Sequence, residues 1–329
     1  MKAWTLYDVG DFAYGEVAEP KTPDGWTLVR MTAAGVCGSD IPRIYETGAH
    51  RHPLIPGHEF AGVRVDNGQR VGVFPLIPCG KCECCKEKRY EMCENYDYLG
   101  SRRDGGFAEY VAVPEWNLIE LPDAVSDEAA AMLEPLAVAV HGVRAMDIRS
   151  GEKCMVCGLG TIGMFYAMVL MAYGADVYVV GKREGQKKRA LEVGIEESHY
   201  YDYSEEREPR GMDVFFECVG TESSLVYGLD ALRPGGRMLL VGNPQGEMSL
   251  PRNDYWKILR HQLTVRGTWN SSYTRSGDDD WHEAIRLIEC GEVRPETLIT
   301  QRYALEELER GLLMMRDKTD DYCKVMVTS

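Results

Sequence analysis

No stretch of this chain is long and apolar enough to span a bilayer, and its opening residues, Met1-Lys-Ala-Trp-Thr-Leu-Tyr-Asp8, contain no apolar signal core. Membrane insertion and export are therefore not expected, and a cytoplasmic location is. Positive charge is also short: 37 Lys and Arg stand against 52 Asp and Glu, a net charge of −15. Phosphate backbones need basic surfaces, so nucleic acid is not an expected partner. Low-complexity segments and internal repeats are absent. Cysteine is plentiful, but the eleven residues are an odd number that fits no secreted disulfide framework. In a reducing compartment, clustered thiols are more often metal ligands than disulfides. At 329 residues and 44% hydrophobic composition, two globular domains are the natural expectation.

Four of the cysteines, Cys79, Cys82, Cys85 and Cys93, follow the spacing C-x2-C-x2-C-x7-C inside a hydrophilic stretch. Almost nothing apolar lies between them, so a metal must order the lobe. Four thiolates leave no open coordination position, which points to a structural zinc. Cys84 falls outside the spacing and reads as a bystander.

Residues 1 to about 120 carry short alternating segments such as Trp26-Thr-Leu-Val-Arg-Met31 and Phe107-Ala-Glu-Tyr-Val-Ala-Val113, which read as small antiparallel strands. Residues 126–146 read as helix, opened by Ser126 as cap. Proline disfavours helical geometry in its predecessor, so a break is expected at Glu134 with a second helix starting at Pro135. From residue 153, strands (154–157, 176–180, 213–217, 237–241) alternate with helices (161–173, 184–193). That alternation implies a parallel, doubly wound sheet. The last stretch contains a helix at 280–290 and the strand-like Lys324-Val-Met-Val-Thr328, so a discontinuous first domain closed by the C-terminal segment is expected.

Between the first of those strands and its helix lies Gly158-Leu-Gly160-Thr161-Ile162-Gly163, a G-x-G-x-x-G. Its glycines permit the tight turn, the approach of backbone to a pyrophosphate and close helix–strand packing, while the helix N-terminus attracts the anion. An acid ending the next strand would hold the ribose hydroxyl of NAD. This chain has Gly181-Lys182-Arg183 there, two cations that suit a 2′-phosphate, so NADP is favoured over NAD. Glu184 is a carboxylate that could still reach a ribose.

Two further segments, Gly35-Val-Cys37-Gly-Ser39-Asp40 and Gly57-His58-Glu59-Phe60, supply a thiolate, an imidazole and a carboxylate. Three such ligands with an open fourth position are what a catalytic zinc requires, and Glu134 supplies a further carboxylate. Taken in order, Cys37-Gly-Ser-Asp, Gly57-His-Glu-Phe, the four-cysteine lobe, Glu134-Pro-Leu-Ala and the glycine motif resemble the zinc-dependent medium-chain alcohol and polyol dehydrogenases over essentially the whole chain. Within that family the chain is most similar to the polyol and polyol-phosphate branch.

The resemblance implies a GroES-like β-rich catalytic domain (1–148 with 270–329, carrying the lobe 79–93) and a Rossmann domain (149–269), with an active site between them. It implies two zinc ions per chain, and Cys37 and His58 as catalytic ligands. The third ligand is either Glu59 or Glu134, and this choice stays open. Family members associate as dimers or tetramers, with residues 235–275 near a subunit contact. The implied reaction is hydride transfer between a secondary alcohol of a polyol or polyol phosphate and NAD(P). A free polyol, threonine or a simple alcohol are alternative substrates, a pentitol-phosphate-forming reductase is an alternative direction, and a structural protein retaining the fold is the non-enzymatic alternative. Pro42 stands near the place of a relay histidine in many relatives, which leaves Ser39, Glu134 or His50 for proton exit. Arg43, His50, Arg102, Arg103, Trp269 and Asn270 are the candidate substrate residues, with Arg43 the leading group for a phosphate because arginine's planar fork matches its oxygens.

Overall fold

The computed structural model describes residues 1–204, 209–244 and 246–329. Chain contacts divide it into two units, Met1–Pro135 with Ser271–Ser329, and Leu136–Asn270. Among the described residues no helix is long and apolar enough to cross a membrane.

The first unit is built on a seven-stranded sheet. Its path runs Ile299–Ala304, Lys324–Thr328, Trp26–Val36, Glu59–Arg64, Arg70–Val73 and Leu118–Glu120, and Tyr110–Pro114 also pairs with Trp26–Val36. Trp26–Val36 alternates buried and more exposed residues along its first half, the pattern of a sheet with one face on the core. The C-terminal segment is tied in by aromatic packing. Tyr273 and Trp281 lie 5.2 and 5.5 Å from the Phe74 ring, and the Tyr273 hydroxyl donates to Leu118 O at 2.6 Å. Trp4 Nε1 donates to Leu305 O at 2.6 Å, so the first strand and the last segment share one core. Such aromatic pairs contribute about 0.5–1.5 kcal/mol each beyond the area they bury, which holds a discontinuous unit together.

Helix Asp127–Ala131 is capped by Ser126, whose side chain accepts from Ala129 N. The break after it falls at Met132, not at Glu134: the second helix is Leu133–Ala145, with Glu134 and Pro135 inside its first turn. Amide groups of a first turn have no intrahelical acceptor, so proline is tolerated there at little cost. Glu134 therefore sits at a helix N-terminus, where negative charge is favoured.

In the second unit six strands are all parallel, in the order Tyr200–Asp202, Asp176–Gly181, Lys153–Cys157, Met212–Glu217, Leu232–Leu240 and Thr264–Gly267. The helix Thr161–Ala172 is buried from Gly163 to Leu170. A side chain at Gly163 would place its Cβ 1.9 Å from Gly158 O, so only glycine lets this helix start so close to the strand.

Candidate metal centre and nucleotide site

Three neighbouring strands of the first unit bring the candidate catalytic residues to one end of the sheet. Lys324–Thr328 and Glu59–Arg64 both run antiparallel to Trp26–Val36, with Val325 opposite Val36 and Glu59 opposite Gly35. The end of the central strand thus meets the beginnings of its two neighbours. Cys37 follows Val36, and His58 precedes Glu59. The ligand atoms of Cys37, His58 and Glu59 lie within 4.8 Å of one another.

Three residues absent from the sequence-based site complete the cluster. Asp40, fully buried, accepts from Cys37 N at 3.0 Å and from Arg43 Nη1 at 2.5 Å, and lies 3.7 Å from His58 Nδ1. Lys324, also buried, donates to Glu59 Oε2 at 2.5 Å and to Val36 O at 3.2 Å. The Tyr98 hydroxyl donates to Glu134 Oε1 at 3.1 Å, and its ring stands edge-on to His58 with centroids 5.9 Å apart. Lys324 had a signal in the sequence: a lysine opening an apolar, central strand must find a buried partner.

Burial opposes a charge on His58, yet Cys37, Asp40 and Glu134 outweigh it and push its pKa up to about 10. Burial raises the pKa of Glu134, with His58 pulling the other way. Among the described residues, buried His58 Nδ1 has no hydrogen-bond partner. A cysteine sulfur, an imidazole and a carboxylate with their ligand atoms within 4.8 Å of one another fit zinc. Ser39 is exposed, and its hydroxyl donates to Cys37 Sγ at 3.4 Å.

In the lobe, Cys79, Cys82, Cys85 and Cys93 converge within 4.8 Å and none is in a disulfide. The Cys79–Cys85 and Cys82–Cys93 sulfurs are each 3.9 Å apart. That matches the roughly 3.8 Å edge of a tetrahedron with metal–sulfur bonds of about 2.3 Å, and is far beyond the roughly 2.05 Å of a disulfide. Backbone amides of Lys81 and Cys82 pull the Cys79 thiol down to about 6, whereas burial pushes Cys85 up to about 12.

The candidate substrate residues are not all gathered here. Arg43 is held against Asp40 beside the metal ligands. Arg102 and Arg103 line a different cleft of the first unit, about 650 Å³, together with Trp26 and Arg51 and with none of the metal ligands. Arg102 stacks over Tyr96, and Arg103 pairs with Asp97. His50 is exposed in the loop after helix Asp40–Tyr45. Trp269, 58% exposed, and Asn270 end the second unit.

The second unit has a cleft of about 520 Å³ where the glycine turn, Gly158 to Gly160, meets Gly181, Lys182 and Arg183. Thr161, Ile162 and Gly163 open the helix that follows. Lys182 and Arg183 are exposed. Gln186 locks the two turns together: its Oε1 accepts from Lys182 N and Arg183 N at 3.0 and 3.2 Å, and its Nε2 donates to Leu159 O at 3.2 Å. Buried Glu217 builds the opposite wall by accepting from Val219 N, Gly220 N and Ser224 Oγ at 2.7–2.9 Å.

Comparison with known proteins agrees with this architecture. Residues 23–123 match the alcohol dehydrogenase GroES-like domain, and residues 161–289 match the zinc-binding dehydrogenase domain. The chain is 32% identical to galactitol 1-phosphate 5-dehydrogenase of Escherichia coli strain K12, over 86% of this chain and 87% of the relative. It is 31% identical to a sorbitol dehydrogenase of Halalkalibacterium halodurans, over 98% and 97%. The crystal structure of galactitol-1-phosphate dehydrogenase from Escherichia coli superposes with a TM-score of 0.92 at 29% identity, covering 100% of both chains. A zinc-binding dehydrogenase from Sinorhizobium meliloti 1021 bound to NADP gives 0.90 at 28% identity, over 100% and 99%. With a GroES-like unit presenting a zinc-type donor set and a parallel-sheet unit presenting a glycine-rich nucleotide turn, the chain belongs to the zinc-dependent medium-chain dehydrogenases.

Proposed function

We propose that the protein interconverts a secondary alcohol of a polyol phosphate and the corresponding ketone, in the cytoplasm, with NADP(H) as hydride carrier. Cys37, His58 and a carboxylate would hold zinc, which would supply Lewis acidity toward the substrate hydroxyl, while a bound nicotinamide would supply the hydride acceptor. Glu59 is the carboxylate grouped with Cys37 and His58, and Lys324 offsets its charge. Glu134, fixed by Tyr98, is the second carboxylate and holds the transferable proton near the reacting hydroxyl. Exposed Ser39, whose hydroxyl meets Cys37 Sγ, is the group proposed to exchange protons between the site and solvent.

The observation that carries the phosphate reading is the position of Arg43. One arm of its guanidinium is anchored on buried Asp40, itself 3.7 Å from His58, and among the described residues no other acceptor meets its side chain. The remaining donors suit a phosphate. In a screen of free and phosphorylated polyols with each cofactor, the highest kcat/KM is expected for a phosphorylated polyol with NADP. Arg43→Ala should raise KM for that substrate about tenfold or more while changing the free polyol little, the value of a charge-assisted hydrogen bond. Equal losses on both substrates would instead assign Arg43 only to holding Asp40, and a free polyol would become the preferred substrate.

Two zinc ions per chain are proposed, with unequal roles. Cys82→Ser should lose one zinc by elemental analysis and lower the melting temperature, because a structural metal contributes folding free energy directly. A Cys82→Ser protein with full zinc content and unchanged melting would remove the lobe from the metal sites.

A homo-oligomer is proposed through the edge strand Thr264–Gly267. All four of its residues are exposed, and in the preceding helix, Arg252–Arg260, Tyr255 and Leu259 are 52% and 55% exposed. An open strand edge and exposed apolar side chains favour pairing with a second copy. Light scattering at micromolar concentration should report at least a dimer; a monodisperse monomer rejects the proposal.

A further inference from the structure

The strand end that chooses the cofactor is occupied from the side. Gly181 closes the strand Asp176–Gly181, and its backbone φ lies outside the left-handed region, so conformation alone would admit any residue. Space does not. A Cβ built on Gly181 would lie 2.5 Å from the Tyr200 hydroxyl oxygen, 3.1 Å from Tyr200 Cζ and 3.2 Å from Leu159 Cδ1. Tyr200 comes from the neighbouring edge strand, Tyr200–Asp202, where it stands opposite Val179. Lys187 lies over its ring at 5.9 Å, and that lysine is in turn paired with Glu197 at 2.9 Å.

We propose that Tyr200 is a specificity-determining residue: its phenol hydroxyl end occupies the space that a strand-end side chain needs, so cofactor choice in this chain belongs jointly to positions 181 and 200. An acid at 181 is what would hold the ribose 2′-hydroxyl of NAD. In this fold the acid is absent and its place is also taken. The remaining groups at the turn are the exposed cations Lys182 and Arg183, while the backbone amides of both residues are engaged by Gln186. Binding of a 2′-phosphate here therefore falls to the two side chains. The inference rests on the reading that the adenosine ribose of the cofactor lies at this strand end.

The test is a double-mutant cycle on the zinc-loaded protein, read by fluorescence titration with NADH and NADPH. Gly181→Asp alone should weaken NADPH binding without gaining NADH, because the carboxylate cannot be seated. Gly181→Asp with Tyr200→Val should bind NADH about tenfold or more tighter than Gly181→Asp does, the scale of one hydrogen bond to a charged group. Equal NADH affinity in the single and double variants overturns the role of Tyr200. A wild-type protein that binds NADH more tightly than NADPH overturns the NADP reading, while the single-versus-double comparison still judges Tyr200 separately.

A cofactor-free readout covers variants that fold poorly. At a strand position without special φ, glycine to alanine ordinarily stabilises by restricting the unfolded chain. Here Gly181→Ala should lower the melting temperature, and adding Tyr200→Phe, which removes the oxygen at 2.5 Å, should recover most of the loss. A rise in melting temperature for Gly181→Ala with Tyr200 intact overturns the proposal.

Discussion

Cys37→Ser is expected to lower kcat/KM by about a thousandfold or more while leaving the protein folded and able to bind cofactor. The scale follows from losing the several kcal/mol that a Lewis-acid metal contributes to the developing alkoxide charge, at about 1.4 kcal/mol per tenfold in rate. The fold should survive because Cys37 lies in the turn after Val36, half-exposed, and the first unit draws its stability from the aromatic and sheet packing around Phe74, Trp281 and Trp4. Cofactor binding should survive because every residue lining the nucleotide cleft belongs to the second unit. Three measurements separate these parts: steady-state turnover, zinc content and fluorescence titration with NADPH. Retention of wild-type turnover would remove Cys37 from the chemistry, and loss of the circular dichroism spectrum would make its role structural.

Lys324→Met should cost about 3–5 kcal/mol of unfolding free energy, because it strands the Glu59 carboxylate in a dry site without its countercharge. Both partners are buried, at 2% and 1% exposure, and the ammonium is 2.5 Å from the carboxylate. Burial by itself works against the charged form of Lys324, but Glu59 and Cys37 outweigh it and keep the lysine protonated. The double variant Lys324→Met with Glu59→Gln should regain part of that stability, since an amide needs no countercharge. Urea unfolding of the metal-stripped protein is the clean measurement, as bound zinc would mask the missing positive charge. A Lys324→Met protein within about 1 kcal/mol of wild type would mean that solvent reaches Glu59, and that the pair is worth no more than a surface ion pair.

Some of this protein was legible from sequence because its determinants are local. Cys79, Cys82, Cys85 and Cys93 lie within one short lobe, and a metal's demand for convergent thiolates can be read from spacing alone. Gly158, Gly160 and Gly163 likewise sit in one strand-to-helix turn, so their geometric meaning travels with their spacing. Cys37, His58, Glu59 and Glu134 were identifiable as ligand chemistry and as a family resemblance. What surrounds them was not. Lys324 meets Glu59 across 265 residues because three strands align their ends in one sheet, and strand register is set by tertiary pairing. Asp40 stood in a motif that was read for its cysteine, and only the fold turned its carboxylate toward both Arg43 and His58. The position of Pro135 was visible, yet the helix break moved to Met132 because a first helical turn accepts proline and local propensity cannot choose between those two solutions. At the cofactor end, the sequence alone showed glycine in place of an acid at Gly181. That Tyr200 fills its place depends on the packing of an edge strand, and volume between side chains has no signature in the order of residues.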